Sequence, residues 1–144
     1  MVDDEEVSLL IENAQKLHGH LGPFLVLGVR IGRAARMRLT VGGEDSETLR
    51  VTIKTPLFTP YSCVIDGIQA TTSCTVGNRR LKTQDSAGKI VALFKLESSP
   101  EKVKISVKSE VVKTLIRELS EGADAEQLAS RIAQMREQQL FVLE

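Results

Sequence analysis

The spacing of apolar residues along the chain changes period twice, from helical to alternating and back. Val7, Leu10, Ile11, Ala14 and Leu17 recur at the spacing of one helical face, behind acidic residues that suit the positive end of a helix dipole. This predicts a helix over residues 4–17. Apolar and small residues then run unbroken from Pro23 to about Met37, predicting a second, more buried helix with proline at its first position. After a loop at Gly42-Gly43-Glu44-Asp45-Ser46, Leu49, Val51 and Ile53 alternate with Arg50, Thr52 and Lys54, the signature of a half-buried strand. Pro56 and Pro60 end it, and a third helix is expected with Thr59 as cap, Pro60 at its first position and Cys63 in its first turn. Residues 90–96 and 103–107 read as two further strands, joined through Ser98, Ser99 and Pro100 by a link short enough for a hairpin. Ser109 opens a helix bearing Val111, Val112, Leu115, Ile116 and Leu119 that Gly122 stops, and Asp124 and Gln127 open a last one with Leu128, Ile132 and Met135 inward. The apolar tail Leu140-Phe141-Val142-Leu143 should pack or pair. Helices at both ends, strands between them and short links predict an α+β fold: a single domain, residues 1–144, with an antiparallel sheet flanked by N-terminal and C-terminal helices.

The second helix has one edge almost without side chains, because Gly28 and Gly32 are four apart and Ala35 follows. Glycine costs a helix roughly 1 kcal/mol relative to alanine, so close approach of another backbone must offset it. Together with the apolar tail, this edge predicts a homodimer with helix 23–37 at the interface; the alternative is that the edge packs against the Cys63 helix of the same chain. Arg30, Arg33, Arg36 and Arg38 lie on the remaining faces, as a solvated face or an anion-binding stripe.

Composition narrows the function classes. At 144 residues the chain is one ordinary domain. Nineteen Lys and Arg balance nineteen Asp and Glu, and there is no tryptophan and only one tyrosine, which argues against a nucleic-acid surface. The longest apolar run, residues 24–29, is too short to span a bilayer and the start is acidic, so a cytoplasmic protein without a membrane partner is expected. In that compartment two cysteines are free thiols or metal ligands rather than a disulfide.

The candidate chemistry lies in two stretches. His18-Gly19-His20-Leu21-Gly22-Pro23 holds both histidines of the chain. At positions i and i+2 they would point about 200° apart on a helix, but on a turning backbone they can converge. Gly19, Gly22 and Pro23 favour the turn. The plainer alternative is that Gly22 and Pro23 merely open the next helix. The second stretch runs from Tyr61 to Asn78 and contains Cys63, Asp66, Gln69, Cys74, Thr75 and Asn78. Eleven helical residues rise about 16 Å, so Cys63 and Cys74 should have different roles. Cys63, in a first turn, is the better candidate, because the dipole there favours thiolate; the alternative is a small buried apolar residue. Backbone amides after Gly77-Asn78, with Arg79, Arg80 and Lys82, form a candidate anion cradle.

Taken together, the two stretches resemble the FmdE family, associated with formylmethanofuran dehydrogenase, whose members carry His-Gly-His-x-Cys-Pro-Gly, then Cys-x-x-Asp-Ala-Ile-Gln, then Gly-Cys-Thr-x-Gly. Here these read His18-Gly19-His20-Leu21-Gly22-Pro23-Phe24, Cys63-Val64-Ile65-Asp66-Gly67-Ile68-Gln69 and Ser73-Cys74-Thr75-Val76-Gly77, with Gly88-Lys89 after them. The resemblance covers residues 8–96 or so. It implies an α+β core, often dimeric, with a His and Cys pocket for a divalent metal such as zinc, and a link to molybdenum or tungsten formylmethanofuran dehydrogenase, whose subunits or a small-molecule ligand are the expected partners. Carried over by position, it implies His18, His20 and Cys63 as metal ligands, Asp66 as either a fourth ligand or a partner that orients one, and Gln69, Cys74, Thr75 and Asn78 lining or supporting the pocket. Gly22 stands where the family has a cysteine, and this chain lacks the cysteines for the C-terminal zinc module of some members. The rival reading is a non-catalytic assembly or regulatory subunit with a vestigial pocket.

Overall fold

A computed structural model describes residues 4–39, 49–97 and 99–144; the loop expected at residues 42–46 lies outside the described residues. Within them the order is α1 (Asp4–His18), α2 (Pro23–Leu39), β1 (Leu49–Lys54), α3 (Cys63–Thr72), β2 (Leu81–Gln84), β3 (Val91–Leu96), β4 (Lys102–Val107), α4 (Ser109–Ser120), α5 (Ala125–Gln134), α6 (Glu137–Leu140) and β5 (Phe141–Leu143). The five strands form one sheet in the order β2-β1-β3-β4-β5. Leu49, Val51 and Ile53 of β1, Ala92 and Phe94 of β3, and Val103, Ile105 and Val107 of β4 face the helices and build the core. Their neighbours Thr52, Leu93, Lys95, Lys102 and Lys104 face the other way. No helix among the described residues is long and apolar enough to cross a membrane.

The α+β architecture is the expected one, with one difference in the sheet. β1 pairs antiparallel with β3, β3 with β4 and β4 with β5, but β1 pairs parallel with β2. Parallel neighbours need a crossover, and α3 supplies it, so β1-α3-β2 is a βαβ unit at the sheet edge. β2 was invisible to the alternation rule because only Leu81 of its four residues is buried. The apolar tail does pair: Phe141 and Leu143 extend the sheet as β5. The third helix begins at Cys63 rather than Pro60, because residues 59–62 form turns in which the Cys63 amide donates to the Pro60 carbonyl.

Helix α2 is the centre of the molecule. Thirteen of its 17 residues are buried, so it has sheet or helix on nearly every side. Its glycine edge packs inside the chain. A Cβ at Gly28 would fall on the Val64 carbonyl of α3, and one at Gly32 would come within 3.1 Å of Thr71 and Thr72 side-chain carbons. With the edge closed by α3 and Phe141 buried where the tail pairs in the sheet, both features behind the expected dimer have partners within one chain, while Val142 stays exposed.

The arginines of α2 are divided: Arg36 and Arg38 are exposed, as a solvated face predicts, Arg33 is half-buried and Arg30 is buried, and each ties α2 to a different partner. Arg33 meets Glu6 of α1 at 2.7 Å, Arg36 donates to the Thr71 carbonyl of α3 at 3.0 Å, and Arg38 meets Glu137 of α6 at 2.7 Å. Arg30 is buried and donates to the carbonyls of Ile132 and Ala133 at 2.9 and 3.2 Å. These belong to the last turn of α5, whose carbonyls lack helical partners, so a cation there satisfies them and suits the dipole. Burial lowers the Arg30 pKa, an effect that Glu137 opposes.

Candidate metal site

Three elements meet where α1 ends. His18 is the last residue of α1, and the Gly19 amide closes that end on the Gln15 carbonyl at 2.8 Å. Gly19 has φ near +100°, a conformation costly for any side chain, and this turn brings His20 back beside His18. The two imidazoles lie 4.6 Å apart, centroid to centroid, with planes at 61°. Cys63, the first residue of α3, completes the group: ligand atoms of His18, His20 and Cys63 all lie within 4.8 Å of one another. The convergent reading of the histidine pair therefore holds, and Pro23 still opens α2 as its first residue.

The polarity of the site can be traced from a backbone amide. The Val76 N–H can only donate, and it donates to Gln69 Oε1 at 3.0 Å. This leaves Gln69 Nε2 to donate to Asp66 Oδ1 at 3.1 Å, and Asp66 Oδ2 accepts from His18 Nδ1 at 2.7 Å. In the neutral imidazole a hydrogen on Nδ1 places the lone pair on His18 Nε2. That nitrogen is buried and has no hydrogen-bond partner. Such an arrangement, with a carboxylate on the far nitrogen of a histidine, is how metal-binding imidazoles are oriented.

Cys63 departs from the expectation that its helical position favours thiolate. Burial raises its pKa and the Asp66 carboxylate raises it further, outweighing the backbone hydrogen bond that lowers it. A thiol in that environment is a poor free nucleophile, and a cation at the cluster would be the group that lets it ionise.

The other expected pocket residues are distributed unequally. Asp66 and Gln69 belong to the relay. Thr75 and Asn78 act one step away, exchanging hydrogen bonds of 3.0 Å that staple the turn carrying the Val76 amide. Cys74 is fully buried and stands apart from the cluster, its thiol donating to the Leu49 carbonyl at 3.2 Å. The anion cradle does not form: the amides of Arg79, Arg80 and Leu81 donate to oxygens of Val76, Thr75 and Asn78. Sequence reasoning placed Asp66 one turn after Cys63, where it can orient a histidine; what it missed was that Gln69 links Asp66 to the Val76 amide. The signal for that link was present in Asp66 and Gln69, whose i, i+3 spacing places them side by side on a helix.

Fold and site define an α+β protein with a His, His, Cys cluster of the kind that holds a transition metal. Residues 17–142 match the family model described as "FmdE, Molybdenum formylmethanofuran dehydrogenase operon", and the chain belongs to that family. A "Probable S-adenosyl-L-methionine-binding protein" of Archaeoglobus fulgidus is 33% identical over 76 residues, covering 53% of this chain. The aligned segment is 20% of that relative's length, so the similarity concerns a minor part of it.

Proposed function

We propose that His18, His20 and Cys63 hold one divalent transition-metal ion, zinc first among them, and that the site binds a small ligand in metabolism linked to a molybdenum or tungsten formylmethanofuran dehydrogenase. The observation that carries this reading is the buried, unpartnered Nε2 of His18 beside His20 and Cys63. An acceptor left unsatisfied in a buried position is costly, and a cation removes the cost. Two imidazoles and a thiolate are a donor set suited to zinc, and three protein donors leave one position of a four-coordinate ion for a ligand from solution. A bound ion would supply a Lewis-acidic centre. The protein's part is to hold His18 in one tautomer through Asp66 and Gln69 and to present the Cys63 sulfur from the start of α3.

Equilibrium titration with zinc and cobalt tests this reading. One ion per chain is expected, and cobalt should give a sulfur charge-transfer band that Cys63→Ser abolishes. His20→Ala and Cys63→Ser should each weaken binding more than tenfold. A stoichiometry near zero with several metals offered would remove the metal from the proposal. Asp66→Asn should keep the three ligands and still weaken zinc binding about 10- to 100-fold, because an amide can no longer enforce the hydrogen on His18 Nδ1. Unchanged affinity in that variant would show that the relay does not set the tautomer. The name of the Archaeoglobus fulgidus relative makes S-adenosylmethionine the first small ligand to offer to the metal-loaded protein.

A further inference from the structure

A groove of about 640 Å³ runs between the Gly88-Lys89 turn and α4, a size that suits a small organic ligand. It shares no lining residue with the His18, His20, Cys63 cluster. Its apolar lining is Ile90, Val107 and Val112, which are buried, together with the half-buried Ile116 and Tyr61. Its charges are all of one sign. Lys89, Lys113 and Arg117 line it, and no Asp or Glu does. Lys113 and Arg117 are i, i+4 neighbours on α4, a spacing at which like charges repel. None of the three makes an ion pair among the described residues, although the chain as a whole carries equal numbers of acidic and basic residues. An apolar trough rimmed by three such cations is complementary to a molecule with an apolar body and an anionic head.

We propose that this groove is a binding site for a small organic anion, a carboxylate or phosphate ester with a compact apolar body. The apolar body lies on Ile90, Val112 and Ile116, and the head group meets Lys89, Lys113 and Arg117. The site is independent of the metal: removing the ion should not change it.

The test uses 2-naphthoate, 1-naphthyl phosphate and neutral 2-naphthol as probes, titrated into the full chain by calorimetry at low salt. At least one of the two anions should bind, and 2-naphthol should bind at least tenfold more weakly; which anion is preferred identifies the head group. Lys113→Glu combined with Arg117→Glu should weaken anion binding at least tenfold, and added salt should do the same in the wild type. Both positions are exposed, so the fold should survive, and an unchanged melting curve checks it. Ile116→Trp, which fills the groove without altering charge, should abolish binding of all three probes. Equal affinity for 2-naphthol and the anions, no effect of the charge reversal, binding that survives Ile116→Trp, or no binding of any probe at millimolar concentration would each overturn the proposal. So would light scattering that shows a second copy of the chain in the groove, as a dimer that Ile116→Trp dissociates.

Discussion

A Gly28→Ala protein should be less stable than the wild type by about 3 kcal/mol or more, at the upper end of the cost of overpacking a core. Helix propensity alone predicts the opposite, since alanine is favoured over glycine by roughly 1 kcal/mol inside a helix. The clash outweighs it. The new methyl carbon would fall on the Val64 carbonyl oxygen and lie 3.0 Å from the Gly67 Cα, and both of these are backbone atoms that no rotamer change can move. Relief requires α2 and α3 to separate, which opens the core at Val64 and Ile68, both fully buried. For a domain of this size the melting temperature should fall by on the order of 10 °C. Gly32→Ala should cost less, because its neighbours are side-chain carbons of Thr71 and Thr72 that can shift by a few tenths of an ångström. Gly77→Ala, whose Cβ would meet only Thr75 Oγ1 at 3.9 Å, serves as the control and should change stability by under about 0.5 kcal/mol. Thermal unfolding of the three variants measures the series. Equal melting temperatures for Gly28→Ala and Gly77→Ala would mean that the two helices are not in backbone contact.

Gly22→Cys should tighten zinc binding on the order of 100-fold or more, a gain of about 3 kcal/mol from a fourth donor. Residue 22 lies against the site. A Cβ there would be 3.8 and 3.9 Å from the Cε1 and Nδ1 atoms of His20 and 4.0 Å from the Ala125 Cβ, all ordinary contacts. The backbone at Gly22 is not in the left-handed region, so a side chain adds no strain. The sulfur would therefore enter from the side that glycine leaves open. Two measurements should move in opposite directions. Zinc affinity rises, and binding of any small ligand to the metal falls, because the protein itself now fills the remaining position. An unchanged zinc affinity in a folded Gly22→Cys protein would mean that position 22 does not face the ion.

Much of the site's composition could be read from the chain, because the information is local. His18, Gly19 and His20 are three consecutive residues, and a positive φ at Gly19 is enough to turn both rings to one side. Strand β1, the β3–β4 hairpin, the stop at Gly122 and the Asp124 cap were legible for the same reason: each rests on alternation or on a cap within a few residues. The Asp124 side chain does accept from the Glu126 amide at 3.1 Å.

What tertiary structure alone decided concerns contacts between distant segments. The 48 positions separating His18 from Asp66, and the 102 separating Arg30 from Ile132, carry no periodic signal that links them. Arg30 looks solvated in sequence because arginine usually is, and it is buried because the carbonyls at the end of α5 open onto the passing α2. Cys63 sits in a first helical turn, yet desolvation by the core and the nearby Asp66 carboxylate together outweigh the backbone hydrogen bond that favours thiolate. The direction of the β2 strand likewise depends on α3 crossing the sheet rather than on anything in residues 81–84. Hydrophobic and turn patterns determined which elements form; the close α2–α3 packing through Gly28 determined that the ends of α1 and α3 meet, and so that two histidines and a cysteine share one site.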